Sequence, residues 1–414
     1  MGLGIAAFHL MKKRRAIVER NVRIAWGDAI PSREWKHLTR EVFRRNGANL
    51  LGGTRCMVMD DKTLEKHFSL EGAELVNEHL AREKGGAIFA LCHMGNWEIL
   101  ARIAHLIVPG APAGAFYRPL NNPWMNRMTK RRRQRTGTIL FSNKEGLTRA
   151  CPLLRSGGVL GILSDQHAGR TGCFSSFFGR PTSCSPLVEL LHRRTGAAVF
   201  YIAMIRDAPA HWHIQITAHP SDAVIDTPSV IGHMEKSLSL SPADGFWFHN
   251  RWKQPKRAPL QPQHSRSALV PSTVAKPWRW LIIESANPSI AFAARPALIH
   301  AISQAAHTEV ALISQHMPDF ACSFYQRDVA VTDLAALVED IDSEKSYPLD
   351  ILLWIAPAEE GDMRGLASRI PVIAAIARKG HQDITCPIEL EGALDEESTW
   401  WEFFHRLGIP RPEQ

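Results

Sequence analysis

From residue 86 onward, short apolar runs alternate with stretches of helical periodicity. This alternation limits the fold more than any other feature of the chain. The runs cover residues 87–92, 114–117, 138–141, 159–163, 198–205 and 212–216. Each has the length of a strand, and the intervals between most of them are long enough for a crossover helix. That is the pattern of a layered α/β domain built on a sheet. A second series begins at Trp278-Arg279-Trp280-Leu281-Ile282-Ile283 and continues with runs near 310–313, 351–355 and 372–376. Between the two series, residues 254–277 are rich in Pro, Ser, Gln and basic residues and read as a linker.

Ahead of the first series the chain reads as helical. Ile17, Val18, Val22, Ile24 and Ala25 lead to a break at Ile30-Pro31-Ser32. Ser32 can then cap a second helix, in which Trp35, Leu38, Val42 and Phe43 recur at helical spacing. Residues 2–11 are mostly apolar and are followed by Lys12-Lys13-Arg14-Arg15. A secretory signal has the reverse order of charge and apolar stretch. This decamer therefore reads either as an interfacial anchor with basic residues behind it or as the start of a buried helix.

Charge separates the two series. Of the 414 residues, those from 277 to 414 hold ten Lys/Arg against twenty-one Asp/Glu, a balance of −11, while the first 276 carry +19. A basic first domain suits phosphate, whether on nucleic acid, an anionic membrane or a phosphorylated substrate. The densest basic run is Lys130-Arg131-Arg132-Arg133, on an expected helix. No nucleic-acid-binding module accompanies it, which argues against nucleic acid as the partner. The seven Cys are irregularly spaced, with no CxxC and no zinc-type cluster, so a reducing compartment and no metal are expected.

The chemistry-bearing segment is Ala87-Ile88-Phe89-Ala90-Leu91-Cys92-His93-Met94-Gly95-Asn96-Trp97-Glu98. A strand runs into His93, and a helix is expected to begin near Gly95. A Glu one turn into that helix can reach back to the imidazole, fix its tautomer and raise its basicity, as the third member of a triad does. Such a pair suits a general base acting on a hydroxyl. Asp165, after the 159–163 strand, stands where sites collect in α/β sheets. Phe174, Phe177 and Phe178, with Gly179-Arg180-Pro181, read either as an acyl-channel lining or membrane contact, or as core.

Five ordered blocks give the segment its context. They are His93-Met94-Gly95-Asn96-Trp97-Glu98, then Tyr117-Arg118-Pro119-Leu120-Asn121-Asn122-Pro123, and then Gly161-Ile162-Leu163-Ser164-Asp165-Gln166. Phe177-Phe178-Gly179-Arg180-Pro181 and the run from Phe246 to Lys253 follow. Over about residues 10–253 the chain resembles the bacterial lipid A biosynthesis acyltransferases, of the lysophospholipid acyltransferase superfamily. The resemblance implies a layered sheet with helices on both faces. It also implies acyl transfer from an acyl carrier protein thioester, a co-substrate in place of any cofactor, to a hydroxyl of a lipid A precursor.

By the same resemblance His93 is the base, Glu98 orients it, and no acyl-enzyme is needed. Oxyanion donors are expected among backbone N–H groups near Gly95-Asn96 or on Arg118. Substrate contacts fall on Asn96, Arg118, Asn122, Asp165, Gln166 and Arg180. Lys12, Lys13, Arg14, Arg15, Lys130, Arg131, Arg132 and Arg133 are expected to meet the membrane or the carrier protein, at the cytoplasmic side of the cell inner membrane. Two alternatives stay open: another glycolipid acceptor of the phosphatidylinositol-mannoside kind, and a non-catalytic lipid-binding pseudoenzyme.

The second series is similar to the amino-terminal half of the heptosyltransferases. The likeness rests on Leu281-Ile282-Ile283, Arg295-Pro296-Ala297-Leu298 and Tyr347-Pro348-Leu349-Asp350-Ile351-Leu352-Leu353-Trp354. Ser289-Ile290 stands where that family carries a Gly-Asp pair, and no room is left before Gln414 for a sugar-nucleotide half. A second, Rossmann-like α/β domain over 278–414, degenerate and retained for binding, is the resulting expectation.

Overall fold

The computed structural model describes residues 2–26, 30–82, 85–117, 119–142, 146–169, 172–252, 278–284, 308–313, 325–327, 349–357, 370, 372–376, 386–388, 401 and 404. The chain divides into two compact units. The first comprises Met1–Val22, Ser32–Gln166 and Ser185–Asn250; the second comprises Arg23–Pro31, His167–Cys184 and Arg251–Gln414. The expected linker lies outside the described residues.

The first unit opens with α1 (Gly2–Leu10), α2 (Lys12–Trp26, its last turn in the second unit) and α3 (Ser32–Cys56). The decamer is thus a helix, and it lies along α3 through a glycine crossing. A Cβ on Gly47 would stand 2.5 Å from the Gly4 Cα, so only two glycines permit this approach. Then follow α4 (Asp61–Leu64), β1 (Phe68–Glu71), α5 (Ala73–Arg82), β2 (Ala87–Leu91), α6 (Leu100–Ile107), β3 (Ala113–Tyr117), α7 (Pro123–Arg133), β4 (Ile139–Ser142), α8 (Gly146–Arg155) and β5 (Val159–Leu163). A hairpin of β6 (Cys173–Phe177) and β7 (Arg180–Cys184) comes next, then α9 (Leu187–Thr195), β8 (Ala198–Ala208), β9 (His211–Ala218) and α10 (Thr227–Leu240).

Seven strands form one sheet in the order β1-β9-β8-β2-β5-β3-β4. All neighbours are parallel except β8 and β9. β2 lies in the middle and is buried along its whole length, which explains its uninterrupted apolar run. On one face Phe89, Leu91, Ile103, Ile107, Phe200 and Ile202 form a core with the end of α3. On the other, α8, α9 and α10 pack against the central strands. The layered sheet with helices on both faces follows the expectation. Among the described residues no helix is long and apolar enough to cross a membrane.

In the second unit, β10 (Trp278–Glu284), β11 (Thr308–Ile313), β12 (Tyr325–Arg327), β13 (Ile351–Pro357), β14 (Val372–Ile376) and β15 (Cys386–Ile388) form a parallel sheet. Its order, β12-β11-β10-β13-β14-β15, is that of a doubly wound Rossmann-like sheet. The positions of Arg295 and Ser289-Ile290 lie outside the described residues.

The β6–β7 hairpin belongs to this unit. It turns at Phe178 and Gly179, both with positive φ, as a two-residue hairpin loop requires. Phe177 and Phe178 are buried, so the core reading of that loop holds and the channel reading does not. Arg180 corrects its expected role as a substrate contact. Its side chain is 2% exposed and pairs with Asp350, which is equally buried. Asp350 also accepts from the Arg279 backbone N–H at 2.9 Å, and the Trp278 indole donates to Ser176 at 3.1 Å. A charge held in this way cannot reach a ligand without leaving its buried partner.

Breaking such a pair leaves an uncompensated buried charge. Asp350→Ala is expected to destabilise the protein by about 3–5 kcal/mol, read as a fall in the denaturation midpoint followed by tryptophan fluorescence of Trp278 and Trp280. The double variant Arg180→Met/Asp350→Leu is expected to recover most of that loss.

Candidate active site

β2 and β5 are adjacent and parallel, and they run in step: Leu91 pairs with Leu163 across the ladder. His93 follows β2 by two residues and Asp165 follows β5 by two. Equal register therefore delivers the two side chains to one point at the carboxyl edge of the sheet. The His93 Nδ1 lies 2.6 Å from Asp165 Oδ1, and the His93 backbone N–H donates to Oδ2 at 3.0 Å. With Nδ1 carrying the proton to a carboxylate, Nε2 is left as the acceptor nitrogen. Gln166 places its side-chain nitrogen 3.4 Å from Nε2.

Burial pushes the Asp165 carboxyl up, but the charge of His93 and its hydrogen bonds outweigh that, and the net displacement is downward. The carboxylate is therefore ionised across the neutral range. The stabilisation it contributes is present above the ordinary carboxyl value near pH 4 and is lost only as pH falls through its lower folded value.

The His93 loop is held from behind by the segment that closes the first unit. Phe246 N–H donates to the His93 carbonyl at 2.7 Å, and Gly95 N–H donates to the Asp244 carbonyl at 2.9 Å. Asp244 is fully buried, and its Oδ2 accepts from Arg45 at 2.9 Å, Ser241 at 2.7 Å and the Arg206 backbone at 3.0 Å. Gly95 turns the chain with φ +60°, and a Cβ there would stand 2.2 Å from the Met204 carbonyl oxygen. Its N–H is already engaged by Asp244, which removes one expected oxyanion donor.

Glu98 does not orient His93. The left-handed turn at Gly95 and a 3-10 turn over Trp97–Ile99 replace the helix expected from Gly95, and α6 begins only at Leu100. Glu98 is thereby turned to α7, where Arg133 grips it with Nε at 3.1 Å and Nη2 at 2.6 and 2.8 Å. The Arg133 guanidinium also lies over the Trp97 ring at 6.0 Å, and Trp97 meets the His93 ring edge-on at 4.7 Å. Trp97, Glu98 and Arg133 line a cleft. The rest of its wall is mostly apolar, with small residues among the large ones: Ala101 and Ala104 of α6, Ala113 and Ala115 of β3, and Gly161 of β5. Between Leu163 and Val159 the β5 wall runs about 13 Å, at about 3.3 Å per residue.

The other expected contacts distribute as follows. Asn96 is 2% exposed and lies against α3, where a Cβ on Gly53 would stand 2.6 Å from its Oδ1, so it is a packing residue. Asn122 is spent as the N-cap of α7, accepting from Trp124 and Met125 N–H at 3.0 and 3.1 Å. Arg118 lies outside the described residues. Lys12, Lys13 and Arg14 are exposed at the start of α2, with Arg14 donating to the Phe248 carbonyl at 3.2 Å, and Arg15 lies over the Phe8 ring. Lys130 lies over the Tyr117 ring, Arg131 is exposed, Arg132 is half-buried, and Arg133 faces the cleft.

The model of the family described as bacterial lipid A biosynthesis acyltransferase matches residues 1–254. The lipid A biosynthesis lauroyltransferase of Escherichia coli (strain K12) is 23% identical over 262 residues, which cover 61% of this chain and 83% of that protein.

The geometry gives Asp165 the place beside His93 that the sequence suggested for Glu98. Asp165→Asn is expected to keep the fold while lowering turnover by about 10³- to 10⁴-fold, the loss seen when a His loses its orienting carboxylate. It also changes the pH profile of the residual rate. Glu98→Gln is expected to lower turnover without moving that profile. Circular dichroism and pH–rate curves on both variants check this.

Proposed function

The chain belongs to the bacterial lipid A biosynthesis acyltransferases, and on that premise we propose that it moves a fatty acyl chain from an acyl carrier protein thioester to a hydroxyl of a lipid A precursor, with His93 as general base. The observation that carries the mechanism is the part-buried Asp165–His93 pair, which leaves Nε2 free of the carboxylate and sets the ring against Trp97, a residue that lines a mostly apolar cleft. A base of this kind needs its tautomer fixed and its protonated form stabilised, and Asp165 supports both roles.

In this reading the acceptor hydroxyl loses its proton to His93 Nε2 as its oxygen attacks the thioester carbonyl. The tetrahedral oxyanion develops beside Arg133, whose guanidinium Glu98 holds at the cleft mouth. Collapse breaks the carbon–sulfur bond, and the departing thiolate takes the proton back from His93. Nothing in the sequence requires a protein nucleophile. The acyl chain enters the cleft between α6 and β5, where Ala101, Ala104 and Gly161 leave the space. The enzyme works at the cytoplasmic face of the inner membrane, and the second unit is a Rossmann-like half-domain retained for binding rather than sugar transfer.

Purified protein, mixed acyl carrier protein thioesters and a Kdo2-lipid A precursor, followed by mass spectrometry, test the reaction directly. A mass gain of one acyl chain is expected. Its absence with folded protein, together with a gain on a phosphatidylinositol-mannoside acceptor, would move the assignment to that glycolipid. Binding of the precursor without product on any acceptor would leave a pseudoenzyme.

Chain length is the second readout. A Cβ on Gly161 would meet nothing closer than 3.8 Å, so a larger side chain fits there and fills the cleft. Gly161→Leu is expected to shift the ratio of rates toward shorter thioesters by about 10- to 200-fold, the range for a methylene or more in an apolar pocket. Competition between thioesters of different length measures it.

A further inference from the structure

The β6–β7 hairpin sets two cysteines side by side. Cys173 opens β6 and Cys184 ends β7, and the antiparallel register places them directly opposite each other. Opposed residues of this kind project to one face with Cα atoms about 4.5–5.5 Å apart. A disulfide spans Cα separations of about 4.4–6.8 Å. The Cys173 Sγ already leans across the ladder, 3.7 Å from the Cys184 carbonyl oxygen. Both residues are thiols. Among the described residues no other ladder brings two cysteines opposite each other.

The two sulfurs have different surroundings. Cys173 is partly exposed, within reach of a small oxidant, and Cys184 is buried. Arg251, itself 3% exposed, lies over the Phe177 ring on the same face of the hairpin. Its Nη1 donates to Thr182 Oγ1 and to the Ser183 carbonyl, both at 2.9 Å, and its Nη2 donates to Cys184 Sγ at 3.0 Å. Of these three acceptors the sulfur is the one that can take negative charge near neutral pH. A guanidinium against a sulfur favours the thiolate, which is the attacking form.

We propose that Cys173 and Cys184 are a peroxide-responsive thiol pair that closes reversibly to a disulfide and slows the enzyme. Hydrogen peroxide transfers one oxygen to Cys173, giving the sulfenic acid and water. The Cys184 thiolate then attacks the Cys173 sulfur. The S–S bond forms, the S–O bond breaks, and the departing hydroxide takes up the proton that Cys184 gave up. A dithiol reductant reverses the reaction by exchange and is itself oxidised to a disulfide. In a reducing compartment the pair rests open.

Closure draws the strand ends together. Opposed side chains have Cβ atoms about 4.5–5.5 Å apart, and a disulfide holds them at about 3.5–4.5 Å. The turn end of the hairpin is fixed by Phe178 and Gly179 and by the Arg180–Asp350 pair, so the open end moves. Ser183, beside Cys184, ties that end to the segment that follows Asp165 and Gln166 in the chain. Its Oγ donates to the Gly169 carbonyl at 2.8 Å, and its own carbonyl accepts from the Ala168 N–H at 3.3 Å. A shift of Ser183 therefore pulls on the residues next to the partner of His93. The effect on turnover rests on the catalytic reading above; the disulfide does not.

The test treats the reduced full chain with hydrogen peroxide, alkylates the remaining thiols and maps the products by mass spectrometry after chymotrypsin, which cuts between the two cysteines at Phe177 and Phe178. A Cys173 peptide linked to a Cys184 peptide, and released by dithiothreitol, is expected. Turnover is expected to fall by about 10²-fold, the cost of a misplacement of about 1 Å, and to return with dithiothreitol. Cys173→Ser, with Cys173→Ala as the second variant and circular dichroism as the check of fold, is expected to keep its turnover in peroxide. Cys173 accumulating as the sulfinic acid with no link to Cys184 overturns the proposal. So does a Cys173 variant that peroxide inactivates as it does the wild type, and so does a disulfide that leaves turnover unchanged. A disulfide that forms in a folded protein with no acyl transfer in either state counts against the catalytic reading and leaves the thiol pair standing.

Discussion

The equal register of β2 and β5 is the constraint on which the site depends. Two parallel strands ending level with one another project the residues just beyond them toward the same point, and here those residues are His93 and Asp165. Both strands are drawn into the middle of the sheet by apolar side chains, so the position of the pair is set by the core rather than by a loop. The site inherits the rigidity of the most buried part of the molecule.

The remaining features of the site are consequences of holding that point still while leaving room beside it. The closing segment of the first unit returns to the His93 loop through Phe246 and Asp244; the buried carboxylate of Asp244 ties α3 to β8, and its backbone carbonyl holds the loop. The space comes from small residues, Ala101, Ala104 and Gly161, between α6 and β5. A larger residue at any of them would fill the cleft without touching the base. Position of the base and volume of the cleft are therefore set by different residues, and the two properties can vary independently within one fold.

In the second unit the same kind of burial has a structural outcome. Arg180 and Asp350 lie 170 residues apart in sequence and meet where neither reaches water. Burial raises the Asp350 carboxyl, and Arg180 and Arg279 act in the opposite direction without reversing it. Such a pair fixes the position of the β6–β7 hairpin at considerable desolvation cost, so it acts more as a determinant of geometry than as a source of stability.

The sequence by itself determined the central strands of both sheets. Apolar runs mark the strands, Pro31 marks the break between α2 and α3, and His93 stands at a strand end, because all of these follow from local periodicity and backbone chemistry. Asn122, expected as a substrate contact, is instead the N-cap of α7 before Pro123. Which groups meet was decided only by the tertiary structure. Asp165 partners His93 across 72 residues because β5 lies beside β2, and strand order is not written in either strand. Glu98, five residues from His93, turns away because Gly95 takes a left-handed turn against the Met204 carbonyl, a contact made by a strand more than a hundred residues later. Local sequence sets what each segment can be; the packing of distant segments sets which side chains share a site.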